Sequence, residues 1–289
     1  MKILLLGSSG LLGREIYKNI KSIKKNKIFH NGLLKKKENL LENKNLEKKI
    51  INTKPDIIIN SLAISSIEEC EKNKIKTKKI NVELVKKIFF LKKKFKLKFF
   101  FIQFSTDQVY DSKKIIYNKE NYKIKANNEY SRQKINLEEV CRKNKALIFR
   151  TNFFGKNKKN TSITDWIFKS FNKKKKFFLF KDVYFNPISI DTLCKIIKKI
   201  IINKLFNVCG TFNLGSKNFI SKSDFAIYFA KNTKIYNNNY ELKKVNDFLK
   251  IKRSKNMVMN ITKFEKKFRI QLPEIISEIK KEAKKYLND

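Results

Sequence analysis

Tyr130 and Lys134 stand four residues apart in EYSRQKINLEEVCRKN, a spacing that sets both on one face of a helix. An ammonium beside a phenol favours the phenolate, so such a pair can move a proton on or off a substrate oxygen. Ser105-Thr106-Asp107 close the apolar run FFFIQFST, and the Thr106 hydroxyl can hold that same oxygen. A third constellation, Gly7, Gly10 and Gly13, forms G-x-x-G-x-x-G directly after the run KILLL. Glycine permits the tight turn and lets backbone approach a pyrophosphate, which the following helix N-terminus then meets with N–H donors. Together the three groups read as proton transfer at a substrate oxygen beside a bound dinucleotide.

These groups need a scaffold that brings strand ends and helix starts together, and the chain alternates accordingly. KILLLG, NKIFH, DIIIN, FFFIQFST and ALIFRTN have strand length and apolar content. Between them Gly13–Lys25 (Ile16, Ile20 and Ile23 on one face), LEKKIINT, NVELVKKIFFLKKKFK and YSRQKINLEEVCRKN have helical periodicity. In the third of these Val82, Val85, Phe89 and Leu91 face inward. Such alternation predicts an α/β fold, a doubly wound parallel sheet of Rossmann type with a smaller mixed α/β C-terminal domain. Ligands of such sheets bind beyond the carboxyl ends of the strands, where Ser105, Thr106 and Asp107 fall. The expected division is 1–152 for dinucleotide binding and 153–289 for substrate, with segments near 185–215 returning to the sheet; FGKNKKNTS marks the boundary.

The 289 residues carry 68 Lys and Arg against 26 acids, a net charge of +42, and 42% hydrophobic residues. Only six of the 68 are Arg, the residue suited to bidentate phosphate contacts, and the lysines are spread along the whole chain with abundant Ile, Asn and Phe. That joint bias is what AT-rich coding produces on solvated faces, so no specific nucleic-acid partner is expected. No apolar run approaches the ~18 residues that cross a bilayer, and no membrane partner is expected. The opening could also be a secretory signal, but Ile3–Leu6 is too short for one and no small-x-small site follows. Four scattered cysteines without a CxxC pair suit reduced thiols in the cytoplasm. With one histidine, His30, and no Cys/His cluster, no metal site is expected.

The motifs KILLLGSSGLLGREI, PDIIINSLAISSIEECE, FSTDQVY, YSRQK, IFRTNFFG, DVYFNPIS, GTFNLGS and MNITKF resemble the extended short-chain dehydrogenase/reductase family, most closely its dTDP-4-dehydrorhamnose reductase group, over nearly the whole chain. The resemblance implies a nicotinamide cofactor and a second domain closing on a nucleotide-sugar, with Thr106, Tyr130 and Lys134 as catalytic trio. Tyr130 would protonate the sugar C4 oxygen, and Lys134 would lower the tyrosine pKa and hold the nicotinamide ribose. Gly7, Ser9, Gly10, Leu11, Leu12, Gly13, Asn31, Leu62, Ala63 and Ser105, with Tyr130 and Lys134, would bind the cofactor. Thr106, Asp107, Gln108, Asn152 and Phe153 would meet the substrate. The implied role is reduction of a 4-keto deoxysugar for surface polysaccharide precursors, in an enzyme compatible with a homodimer.

The sequence also departs from that group. Related 4,6-dehydratases carry Thr-Asp-Glu where this chain has Thr106-Asp107-Gln108, and glutamine cannot ionise to act as a base. The reductases usually have an aromatic at that third position, Trp where this chain has Phe153, and DQxGxPT in place of DVYFNPIS. The second strand ends His30-Asn31-Gly32 without the acid that favours NAD, and Lys35–Lys37 follow, so NADPH is expected ahead of NADH. Two alternatives accompany the reductase reading: a nucleotide-sugar epimerase or dehydrogenase on the same fold, and a non-catalytic NADP-binding regulatory subunit.

Overall fold

The computed structural model describes residues 1–23, 26–31, 43–157, 161–173 and 175–287. Its first half runs β1 (Lys2–Leu6), α1 (Leu11–Ile20), β2 (Lys27–Asn31), α2 (Asn43–Thr53), β3 (Ile57–Asn60), α3 (Ile67–Lys72), α4 (Lys74–Lys78), α5 (Leu84–Lys94), β4 (Phe100–Thr106), α6 (Glu129–Lys143) and β5 (Leu147–Thr151). One six-stranded sheet has the order Gly210–Leu214, β5, β4, β3, β1, β2. The pairings of β1 with β2, β1 with β3 and β3 with β4 are parallel, with Leu4 opposite Phe29 and Ile58, and Ile58 opposite Phe101. This is the expected parallel α/β architecture. The strand order reverses at β1 and β3, which opens a crevice beyond their carboxyl ends.

The chain divides into two compact units that interleave along the sequence. The first comprises Met1–Ser105, Asn128–Phe149 and Cys194–Thr211; the second comprises Thr106–Asn127, Arg150–Leu193 and Phe212–Asp289. Sequence patterning places one principal cut at 152/153 with a return near 185–215; the returning segment in the structure is Cys194–Thr211. Sequence patterning passes over Thr106–Asn127, because this excursion begins inside the FFFIQFST motif and carries no boundary signal of its own.

In the first unit Leu4, Leu6 and Ile58 of the strands pack with Val85, Ile88 and Phe89 of α5 and Leu137 and Cys141 of α6. Complete burial of such a side chain contributes about 1.5–3 kcal/mol, and Val82, Val85, Phe89 and Leu91 are all buried as their spacing predicts. Helix α1 stops at Ile20 instead of running on to Lys25. Ser22 Oγ and Asn19 Nδ2 donate to the carbonyls of Asn19 and Glu15, a local competition for backbone acceptors that disfavours a further turn. Ile23 therefore lies in the following turn, and Lys24 and Lys25 lie outside the described residues.

The second unit packs three helices, Ile163–Asn172, Lys222–Asn232 and Ile275–Leu287, around Phe154, Phe171, Phe185, Phe225, Phe229 and Ile279. Ser162 caps the first and Ser221 the second, each accepting from the backbone N–H three residues on. Short strand pairs complete it: Phe177–Phe180 with Tyr240–Lys243, Tyr184–Phe185 with Ile220–Ser221, and Phe153–Phe154 with Ile188–Ser189. Among the described residues no helix is long and apolar enough to cross a membrane.

Candidate active site

The glycine turn after β1 splits into two kinds of position. Gly7 has φ +86°, and a Cβ there would lie 2.7 Å from the Leu62 nitrogen. At Gly13 a Cβ would fall 2.1 Å from the Gly7 carbonyl oxygen. Those two glycines are required by the chain's own packing. Gly10 is different: it is exposed, and a Cβ there would meet only the Gly7 carbonyl, at 3.4 Å. It precedes α1 in extended conformation with no side-chain cap, and the first turn of α1 holds no acid. Helix N–H groups and dipole thus face a cradle that a side chain at residue 10 would begin to fill. The residues present fit a dinucleotide pyrophosphate there.

The far wall of the cradle follows β3. Ser61 donates to the Leu6 carbonyl through both its backbone N–H (3.0 Å) and its hydroxyl (2.7 Å). Asn60 Oδ1 accepts from Leu62 N–H at 3.2 Å, and Asn60 Nδ2 donates to Gln103 Oε1 at 2.8 Å. Leu62 and Ala63 are left half-buried beside Gly7, as are Ser9 and Leu11, whereas Leu12 turns into the core. The Asn31 side chain, Gly32 and Lys35–Lys37 lie outside the described residues. His30 packs edge-on against Tyr17, ring centroids 4.9 Å apart.

Helix α6 carries Tyr130 and Lys134 in its first turns, held by a capping box in which Asn128 and Ser131 bond each other's backbone. Tyr130 is 8% and Lys134 3% exposed. Lys134 Nζ donates to the Phe104 carbonyl at 3.1 Å and lies 5.8 Å from the Tyr130 ring centre. Burial pulls the Lys134 ammonium down to about 8, so it gives up its proton at lower pH than a surface lysine. The Ser105 hydroxyl donates to Glu138 Oε1 at 2.6 Å.

Sequence reading missed the residue that ties these parts together. Asn81 Oδ1 accepts from Ile64 N–H (2.9 Å), while its Nδ2 donates to the Ile64 carbonyl (3.0 Å) and to Gln133 Oε1 (2.8 Å). It thereby fixes the loop carrying Leu62 and Ala63 to the helix carrying Tyr130 and Lys134. Asn81 sits in a π-helical stretch, Lys79–Glu83, that turns its amide inward. A lone Asn in N-V-E-L-V was the available signal.

In the second unit Thr106, Asp107 and Asn152 come together. Thr106 Oγ1 accepts from Gln108 N–H at 3.2 Å and donates to Asp107 Oδ1 at 3.3 Å. Asn152 Nδ2 donates to Asp107 Oδ2 at 2.9 Å. Burial pushes the Asp107 carboxyl up to about 6, against the opposing pull of Asn152, the Lys222 ammonium and Thr106. Lys222 is itself pulled down, by burial first and by the neighbouring Arg253 cation, while Asp107 opposes the change. Ser254 Oγ donates to the Gln108 carbonyl (3.1 Å), and the buried Gln108 Oε1 accepts no hydrogen bond among the described residues. Phe153 pairs with Ile188 in a short strand pair. Arg150, fully buried, donates to Tyr110 Oη at 2.6 Å, and Tyr110 donates to Asn213 at 2.9 Å. Lys222 and Arg253 were not legible from spacing. Of the expected catalytic trio, Tyr130 and Lys134 belong to the first unit and Thr106 to the second.

The family profile described as RmlD substrate binding domain matches residues 1–288. No curated protein matches the chain. Among solved structures, a dTDP-4-dehydrorhamnose reductase of Clostridium acetobutylicum is similar at 23% identity, with 98% of this chain and 99% of that chain covered and a TM-score of 0.86. The Bacillus anthracis dTDP-4-dehydrorhamnose reductase, solved in complex with NADP, is 17% identical with 98% and 99% coverage and a TM-score of 0.85. A hypothetical dTDP-4-dehydrorhamnose reductase of Sulfolobus tokodaii is 26% identical with 92% and 94% coverage and a TM-score of 0.77.

Proposed function

This chain belongs to the RmlD substrate binding domain family, and on that premise we propose that it reduces the 4-keto group of a nucleotide-activated deoxysugar with NADPH or NADH. The observation that carries the reading is the buried Tyr130–Lys134 pair on α6, in the same unit as a glycine turn whose Gly10 the protein leaves uncovered. Gly7, Gly10 and Gly13 with the first turn of α1 hold the pyrophosphate. Leu62 and Ala63 line the cofactor. The bound nicotinamide supplies the hydride that reduces the carbonyl carbon.

The chain's own residues handle the proton. Tyr130 gives its phenolic proton to the C4 oxygen as negative charge develops there. Lys134, charged below about pH 8, stabilises the phenolate that remains. Thr106 turns its hydroxyl proton from Asp107 Oδ1 to the substrate oxygen, while Asn152 keeps the Asp107 carboxylate in place beside it. Gln108 stands where a dehydratase needs an ionisable glutamate, so elimination has no base. The second strand's Asn31 lacks the acid that would select NADH, which favours NADPH. Four cysteines with no disulfide among the described residues, and a soluble nucleotide-sugar substrate, suit a cytoplasmic enzyme.

The test is a panel of 4-keto nucleotide sugars incubated with NADPH and with NADH, read by loss of nicotinamide absorbance. Stoichiometric consumption with one of them supports the reading. Cofactor binding without consumption on any sugar, and indifference to Tyr130→Phe, would instead indicate a regulatory subunit.

A further inference from the structure

We propose that Glu138 is a positioning residue of this site: its buried carboxylate, one helical turn beyond Lys134 on the same face of α6, supports that lysine and anchors the end of β4 that leads into Thr106. The inference rests on reading Tyr130 and Lys134 as the proton-handling pair. Tyr130, Lys134 and Glu138 recur at four-residue intervals and so form one stripe along α6. Glu138 has no exposure at all, while its neighbours Leu137 and Cys141 pack in the apolar core. Burying a carboxylate in such surroundings is costly unless every oxygen is engaged. Here both are: Oε1 accepts from Ser105 Oγ at 2.6 Å and Oε2 from Arg142 at 3.0 Å. An apolar side chain would serve packing at that position without this cost, so the charge calls for another explanation.

The surroundings of Lys134 supply it. The Phe104 carbonyl from β4 and the Tyr130 ring lie against its ammonium, and Cys141 and Glu138 from its own helix and Cys70 from α3 are within electrostatic reach of it. Burial pushes both thiols up, so Cys70 and Cys141 stay uncharged at neutral pH. The Glu138 carboxyl, held by Ser105 and Arg142, is then the group that opposes the effect of burial on Lys134. Arg142, on the outer side and partly exposed, pairs with Glu138 and weakens the field that reaches Lys134. Through Ser105 the same carboxylate also fixes the residue that precedes Thr106 in the chain.

Two substitutions then act with opposite sign. Glu138→Gln keeps the size and an acceptor oxygen for Ser105 but removes the charge. It is expected to move the alkaline limb of the kcat/KM profile down by about half a pH unit or more. Arg142→Gln is expected to move that limb up, by less. The pH midpoint of NADPH affinity, measured by fluorescence without turnover, follows in the same directions. A merely structural glutamate would change rate or stability and leave both midpoints in place. An unmoved limb in Glu138→Gln, or a shift of the same sign in both variants, overturns the proposal. If Glu138→Gln fails to fold, Arg142→Gln decides alone, and an unmoved or lowered limb overturns it. Tyr130→Phe is measured beside them: turnover retained there removes the reductase reading, whereas a dead Tyr130→Phe with an unmoved Glu138→Gln limb removes only the role of Glu138.

Discussion

In each unit of this protein burial shifts an ionisable group expected in the site, and it drives Lys134 and Asp107 in opposite directions. Lys134, in the first unit, is drawn down to about 8; Asp107, in the second, is pushed up to about 6. The physical cause is the same, loss of hydration of the charged form. The compensation differs. Lys134 is met by a neutral carbonyl and, one turn on, by Glu138, whereas Asp107 is met by an amide, a hydroxyl and the Lys222 cation. Between about pH 6 and 8 both groups are charged, and outside that window one or the other is not. The units thus reach a shared working range from opposite sides.

Of the substitutions that compare the two units, Lys134→Met should produce the largest effect, lowering kcat/KM by about 10³-fold and weakening NADPH binding. Thermal stability should change little, because relief of a desolvated charge is offset by the donor lost to the Phe104 carbonyl. A loss of melting temperature would mean that Lys134 is chiefly structural. Asp107→Asn tests the other side. The carboxyl whose folded pKa is raised binds more protons folded than unfolded between its ordinary value and about 6, so its ionisation costs stability above that range. The raised value already includes the opposing pull of Lys222, so the amide should raise stability at pH 7.5 by about 1–3 kcal/mol, while kcat/KM falls about tenfold. A destabilised Asp107→Asn would break the comparison, since the carboxylate would then be a net stabilising group.

The smallest predicted effect sharpens the comparison most. The wild-type kcat/KM profile should be bell-shaped, falling below about pH 6 as Asp107 gains a proton and above about pH 8 as Lys134 loses one. Asn152→Ala removes a hydrogen bond that holds the Asp107 carboxyl down. It should raise the acid limb by less than one pH unit and leave the alkaline limb in place. Movement of the alkaline limb instead would show that the acid and base assignments are reversed.

These two regions were also unequally legible in the sequence. The first unit's strands and helices repeat with clear periods, and Gly7, Gly13, Tyr130 and Lys134 are fixed by local spacing. What local spacing cannot convey is long-range partnership. Asn81 meets Ile64 and Gln133 across 17 and 52 residues, and only the π-helical stretch aims it there. Lys222 lies 115 positions after Asp107 in a chain whose 68 cationic residues conceal any single one. The second unit's short strand pairs, two of them only two residues long, leave almost no alternation to read. Gly10 looked equivalent to its neighbours in the motif, yet it alone of the three has no packing reason to be glycine.

The central claim is that Tyr130 protonates the oxygen of a carbonyl being reduced. Its most direct test is single-turnover oxidation of NADPH by a 4-keto-6-deoxy nucleotide sugar, with wild type and Tyr130→Phe compared at pH 7. The account predicts a rate lower by about 10²–10⁴-fold in the variant with NADPH affinity kept within severalfold. A variant that oxidises NADPH at close to the wild-type rate would contradict it.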